Sequence, residues 1–198
     1  FFDRKANPMN TNIAFRTGKL VYLRTLLKSL HAETALKWMN DQEVTKYLMR
    51  VYPMTAREEE EWMDSQGRDP KNVALAIHTL DGDKFIGTIG LHAIDLINRN
   101  AVTGTVIGNK DYQGKGYGTD AKMLLLDFAF NELDLDVIMS KVLAFNGRSL
   151  AYGKKCGYEE VGRIPGWIRR QGARHDEVIL TVTQERWQPL WEEYKKGL

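Results

Sequence analysis

Apolar positions along the chain follow two rhythms that take turns. Lys19 to Arg24 (KLVYLR) reads as a strand, and from Ser29 onward Ala32, Ala35, Leu36 and Met39 recur at helical spacing. Thr55 with Glu58 three residues later predicts a capping box, just after Pro53, opening a helix that runs to about Gln66. From Val73 the texture becomes β: VALAIHTL, a turn at Asp81-Gly82, KFIGTIGLHAI, a polar break from Asn98 to Asn100, then AVTGTVIG. This predicts an antiparallel meander of three strands. After Gly118 the helical period returns, with Ala121, Leu124, Leu125 and Phe128 on one face and Asp120, Lys122, Asp127 and Asn131 off it. Asp136 to Phe145 follows as a strand, Ser149 to Cys156 as a short helix closed by Gly157, and Tyr158–Ile164 and Glu177–Val182 as closing strands. The alternation predicts one α/β domain with a mixed sheet over residues 17–198, preceded by an N-terminal extension, residues 1–16, expected to be flexible.

The segment Val106-Ile-Gly-Asn-Lys-Asp-Tyr-Gln-Gly-Lys-Gly-Tyr-Gly118-Thr119 carries a strand through a glycine-rich turn into a helix. Glycines at alternate positions expose bare backbone, and the first helical turn offers unpaired N–H groups and the positive end of the dipole. Such a turn suits a pyrophosphate. A P-loop needs Ser or Thr after the lysine, and Gly116 follows Lys115 here. A dinucleotide fingerprint needs different glycine spacing and the first strand of a parallel sheet, whereas this loop lies past the middle of the chain. The pattern Gln-x-x-Gly-x-Gly is met in full by Gln113, Gly116 and Gly118.

That pattern resembles the pyrophosphate loop of the GNAT superfamily of N-acetyltransferases. Asn146-Gly-Arg-Ser149, leading to Gly157-Tyr158, resembles the second signature of the superfamily. The arrangement from about Lys19 to Trp187 is similar to the branch containing the ribosomal-protein alanine N-acetyltransferases and the diamine acetyltransferases. Supporting stretches are Asp41-Gln-Glu-Val-Thr-Lys-Tyr, Phe85-Ile-Gly-Thr-Ile-Gly-Leu-His and His175-Asp-Glu-Val. The resemblance implies a mixed, mostly antiparallel sheet of six to seven strands with helices on both faces, splayed between the strands at 101–108 and 136–145. It implies acetyl-CoA as cosubstrate, its pantetheine arm pairing with backbone at Val106 and Ile107. Its pyrophosphate would meet Gln113, Gly114, Lys115, Gly116, Tyr117, Gly118 and Thr119, with Asn146 and Ser149 reaching it from the far side. Asn146 is also readable as a helix cap, and the two roles are compatible. The acceptor implied is a primary amine: a protein N-terminus, a polyamine, an aminoglycoside or another small amine.

Removing a proton from that amine needs a base or a water chain, and alignment can supply much of the rate. His92 and Asp95 lie near the end of the strand preceding the one that leads into the loop and, by alternation, face opposite sides, so at most one meets the cleft. His92 is the preferred base. Superfamily members often carry a Tyr four residues before the Gly-aromatic pair; Gly153 stands there, and Tyr152, about 100° round the helix, is the candidate acid. Related diamine enzymes often carry Glu where this chain has Val102, which counts against a copied diamine site. The acidic run Glu58 to Glu61 with Asp64 reads as a solvated helix face, or else as a frame for a polycationic acceptor. Trp167 to His175 reads as a solvated loop, with an RNA contact or an acceptor lid as alternatives.

Charge and composition narrow the partners. Twenty-eight basic against 26 acidic side chains leave a net +2, so neither nucleic acid nor a basic membrane anchor is indicated. A single cysteine, Cys156, forms no internal disulfide and reads as a packing residue, and the four histidines lack zinc spacing, so no metal is expected. No apolar run approaches the roughly 20 residues of a membrane span, and a cytoplasmic enzyme is the expectation. A homodimer is compatible with the sequence. Two rival functions remain: a non-catalytic acyl-CoA sensor, and a nucleotide- or RNA-binding module built on the glycine loop.

Overall fold

The computed structural model describes residues 13–198. In chain order the elements are β1 (Arg16–Thr17), β2 (Val21–Thr25), α1 (Lys28–Met39), α2 (Gln42–Thr45), α3 (Ala56–Ser65), β3 (Val73–Thr79), β4 (Phe85–Asp95), β5 (Asn100–Ile107), α4 (Tyr117–Asp127), β6 (Val137–Leu143), α5 (Gly147–Lys155), β7 (Glu159–Arg170), β8 (Ala173–Thr183) and α6 (Gln184–Lys195). The expected flexibility of residues 1–12 lies outside the described residues. Residues 16 and 17, at the expected boundary, are in the sheet: Arg16 pairs with Leu23 and its guanidinium bonds Asp127 and Glu132.

All eight strands form one sheet in the order β1-β2-β3-β4-β5-β6-β8-β7, one more than expected because β1 adds an edge. Every pairing is antiparallel except β5 with β6. Alternation along β3 shows how both faces are covered. Leu75 and Ile77 join α4 and α6 in the larger core with Leu124, Leu125, Trp187 and Trp191, while Ala76 between them packs with Ala35 of α1 and Met63 of α3. The expected capping box is present, Thr55 accepting from Glu58 N–H while the Glu58 carboxylate accepts from Thr55 N–H. Among the described residues no helix is long and apolar enough to cross a membrane.

Three expectations are corrected. Asp120 and Lys122 are not on a solvated face but 5% and 1% exposed. Lys122 turns toward the sheet opening, beside Ser140, Val142, Tyr152 and Tyr158. The Asp120 carboxylate accepts the N–H groups of Lys19, Leu20 and Val21 and the Tyr194 hydroxyl, fastening β2 and α6 to the helix. The stretch Trp167 to His175 is not a loop: β7 and β8 run on as a hairpin through it and turn at Gln171-Gly172, both with positive φ. The third is α6, absent from the sequence reading, which Thr183 caps and which Trp187 and Trp191 bury at i, i+4 spacing.

Candidate active site

The one parallel pair of the sheet is also where it opens. β5 and β6 pair only at Asn100–Val102 against Val137–Met139, although β5 continues to Ile107 and β6 to Leu143. Beyond Val102 each strand keeps its outer neighbour, β4 or β8, so the inward-facing amides and carbonyls from Thr103 onward lack a strand partner. Buried backbone groups need partners, and a gap of this shape accepts an extended ligand. A cleft of about 920 Å³ passes through it.

One mouth of the cleft is the glycine loop. Gly114 and Gly116 have φ of 73° and 93°, a left-handed conformation costly for any other residue, and Gly116 caps α4. Gln113 N–H bonds Lys110 carbonyl and Asp120 N–H bonds Gly116 carbonyl, but the N–H groups from Gly114 to Thr119 have no partner among the described residues. The result is a run of amides at a helix start, an anion-binding arrangement. Gln113 is turned away from this role: its amide nitrogen donates to Ile107 carbonyl and its oxygen accepts from Arg148, 2.7 Å in both cases, bracing the loop against β5 and α5. Arg148, whose guanidinium also lies over the Tyr47 ring, is a cation at this mouth that the sequence reading passed over, although it sits inside the second signature. Gly114, Gly116, Gly118, Thr119, Val106 and Ile107 line the cleft; Lys115 and Tyr117 do not.

Helix α5 forms the facing wall. Asn146 accepts from Ser149 N–H at 3.2 Å, so it caps the helix while also lining the cleft beside Ser149. One turn on, Tyr152 points into the same space. Burial pushes its phenol up to about 12, partly offset by the Thr105 and Ser149 hydroxyls. Cys156 behind it is buried, and burial raises its thiol to about 12, which makes it an inert packing group.

At the other mouth the sheet carries a row of small residues, Ala74, Gly90 and Gly104, in register across β3, β4 and β5. Above this floor stand Trp38, Tyr47, Met54 and Trp62 from α1, α2 and α3 and the segments beside them. The His92 ring leans over Gly104, where a Cβ would lie 3.4 Å from Nε2. Its pKa is lowered, by desolvation first and the Lys122 charge second. Asp95 is elsewhere: its carboxylate accepts from the N–H groups of Ile97 and Asn98 and from the Asn98 side chain, capping the β4–β5 turn outside the cleft.

The acidic helix start divides its work. Glu58 belongs to the capping box, Glu60 and Asp64 pair with Lys28, and Glu61 pairs with Arg57. Glu59 departs from the solvated face expected of it: it is 2% exposed and lines the cleft. Desolvation raises its pKa, against a smaller lowering by Arg50. The signal that locates it is Met63, four residues on and in the smaller core. The Trp167–His175 hairpin supports this mouth from outside, Arg170 donating to the carbonyls of Leu48 and Met49 at 3.0 Å. Among the described residues no group of His, Cys, Asp and Glu could hold a metal ion.

A sheet opened at its one parallel pair, with free amides at one mouth and an aromatic chamber at the other, defines a two-ended cleft in an α/β fold. The chain belongs to the acetyltransferase (GNAT) domain family, whose profile matches residues 21–159. It is 26% identical over 160 residues to the uncharacterized N-acetyltransferase p20 of Bacillus licheniformis, covering 79% of this chain and 89% of that one. It is 32% identical over 102 residues to a Bacillus subtilis protein named as a ribosomal N-acetyltransferase, YdaF, covering 52% of this chain and 55% of that one. The spermidine N-acetyltransferase of Vibrio cholerae, solved with CoA and spermine, shares the fold with a TM-score of 0.78 at 21% identity, over 85% of this chain and 98% of that one.

Proposed function

We propose that this acetyltransferase moves the acetyl group of acetyl-CoA directly onto a primary amine, both substrates meeting in the one cleft. The observation that carries this reading is the end of β5–β6 pairing at Val102 and Met139, with unpaired amides from Gly114 to Thr119 at the same opening. The pantetheine arm takes up the inward backbone groups of β5 near Val106 and Ile107. The pyrophosphate rests on the amides of Gly114, Gly116, Gly118 and Thr119, with Arg148 and Lys115 adding positive charge and Asn146 and Ser149 closing the far side. The helix dipole contributes roughly 0.3–1 kcal/mol, so the amide hydrogen bonds carry most of the phosphate affinity.

The acceptor enters from the aromatic mouth. His92, neutral at physiological pH because burial lowers its pKa, takes the proton that the attacking nitrogen sheds, directly or through a water. Tyr152 gives its phenolic proton to the departing sulfur. Asp95 has no part, since its carboxylate is committed to the turn. A buried Glu59 among Trp38, Tyr47, Met54 and Trp62 supports a cationic acceptor on an apolar stem. The presence of His92 and Tyr152 at the cleft supports turnover over a purely sensing role.

Initial rates measured while acetyl-CoA and amine are both varied test direct transfer. Intersecting double-reciprocal lines, with no acetyl-protein formed when amine is omitted, are the expected result. Parallel lines together with a stable acetyl-protein would replace direct transfer by a two-step route.

A further inference from the structure

Helix α4 carries a lysine in a place where a charge is expensive. Lys122 is 1% exposed, and its Nζ has no hydrogen-bond partner among the described residues. Its side chain ends 5.9 Å from the Tyr152 ring centroid and 5.7 Å from that of Tyr158. The titratable groups around it are Tyr152 on α5, Cys156 at the C-terminal cap of that helix, Tyr158 ahead of β7, and His92 across the sheet on β4. No carboxylate is among them. An uncompensated buried ammonium is costly, so the neutral amine is accessible to Lys122 as it is to few lysines.

The amine borders a cavity of about 10 Å³ whose other walls include Ser140, Ser149, Tyr152 and Tyr158. That is the volume of about one water, and the walls supply the two to four polar partners a buried water needs. Ser140, Ser149 and Tyr152 also line the cleft. Tyr152 therefore stands between the cleft and Lys122.

We propose that Lys122 is the proton store behind Tyr152, joined to it by a single water in this cavity. The inference rests on the reading of Tyr152 as the acid. As the carbon–sulfur bond of the tetrahedral adduct breaks, its electron pair goes to sulfur, and sulfur takes the phenolic proton of Tyr152. The water passes a proton to the phenolate oxygen and regains one from the Lys122 ammonium, leaving a neutral amine that is recharged from solvent after CoA departs. The energetics favour this arrangement. A phenol at about 12 is a poor donor to a thiolate whose conjugate acid ionises near about 8.5, as a cysteine does. An ammonium brought down to about 7 by burial makes the combined transfer downhill. Lys122 thus acts through Tyr152, as a positioning residue.

The test is a double-mutant cycle of Lys122→Met and Tyr152→Phe, read as kcat against pH, with coenzyme A affinity and thermal unfolding as controls. Lys122→Met should lower kcat about tenfold, abolish the fall in kcat above about pH 7, leave the coenzyme A Kd unchanged, and add nothing to Tyr152→Phe. An equal loss in both backgrounds would make Lys122 merely structural and overturn the proposal. Loss in Tyr152→Phe with none in Lys122→Met would also overturn it while leaving Tyr152 as the acid; no loss in either would remove the acid as well. Should Lys122→Met fail to fold, the ε-carbon resonance of Lys122 decides. Its titration midpoint should move when Tyr152 becomes Phe in the folded protein, and an unmoved midpoint would overturn the link.

Discussion

Which glutamate of four consecutive ones turns inward is decided by helix rotation, and Met63 sets that rotation by occupying the smaller core. Glu59 shares its face, so Glu59→Gln should raise KM for a cationic acceptor about tenfold with kcat little changed, the mark of lost uniform binding. Glu60→Gln, which removes only a surface ion pair with Lys28, should leave KM alone; equal effects would remove Glu59 from the acceptor site. His92 carries the proton step. With its pKa held below the ordinary 6.5, activity should rise with pH on the acid side and reach its maximum near neutrality, before the fall that Lys122 imposes above it. His92→Ala should lower kcat by about 10²-fold or more and abolish that acid limb; an unchanged pH–rate profile would exclude His92. The glycines of the loop were legible in the sequence because only a missing Cβ allows their backbone. Glu59 and Lys122 were not, because their positions depend on what packs over α3 and α4.

Helix α1 meets β3 and the turn after it through a chain of neutral imidazoles. Leu27 N–H donates to His31 Nδ1 at 2.8 Å, His31 Nε2 lies 3.0 Å from His78 Nε2, and His78 Nδ1 lies 2.8 Å from Asp83. With Nδ1 of His31 accepting, its Nε2–H donates to His78, whose Nδ1–H donates to Asp83. Burial lowers His31 to about 4 and lowers His78 as well. A folded-state pKa below the unfolded value means stability that is full above about pH 6.5 and lost as pH falls. Between pH 7 and pH 5 His31 alone should cost about 2 kcal/mol. Urea unfolding at the two pH values measures this, and a His31→Asn variant should show a flatter dependence; an identical slope would contradict it. Asp120 makes a second junction, and Asp120→Ala, which strands three backbone donors, should cost about 3 kcal/mol with the m-value unchanged. The capping box, the meander and α5 could be read because their signals are local. The extension of β7 and β8 through Trp167–His175 could not, because its Arg-rich stretch is stabilised by reaching Leu48 and Met49 across the fold.

At the scale of the whole molecule, the mixed, mostly antiparallel sheet and the splay followed from the resemblance carried by two short signatures, and the family profile and the β5–β6 register agree with it. The periodicity alone gave elements without their arrangement, since pairing between β5 and β6 joins segments separated by α4. It missed α6 because Trp187 and Trp191 were not read as one helix face. The central claim is that acetyl-CoA and an amine react in the cleft between these strands. The most direct measurement is thiol release from acetyl-CoA across a panel of amines, with wild type beside Gly116→Trp. A side chain at Gly116 would have to adopt a φ of 93°, with its Cβ 3.5 Å from the Leu20 side chain, so the loop backbone that presents the amides would have to shift. Release that depends on the amine and disappears in Gly116→Trp, while the variant keeps its fold, is the predicted result. Wild type that binds coenzyme A yet releases no thiol with any amine, or a variant that turns over normally, would contradict the account.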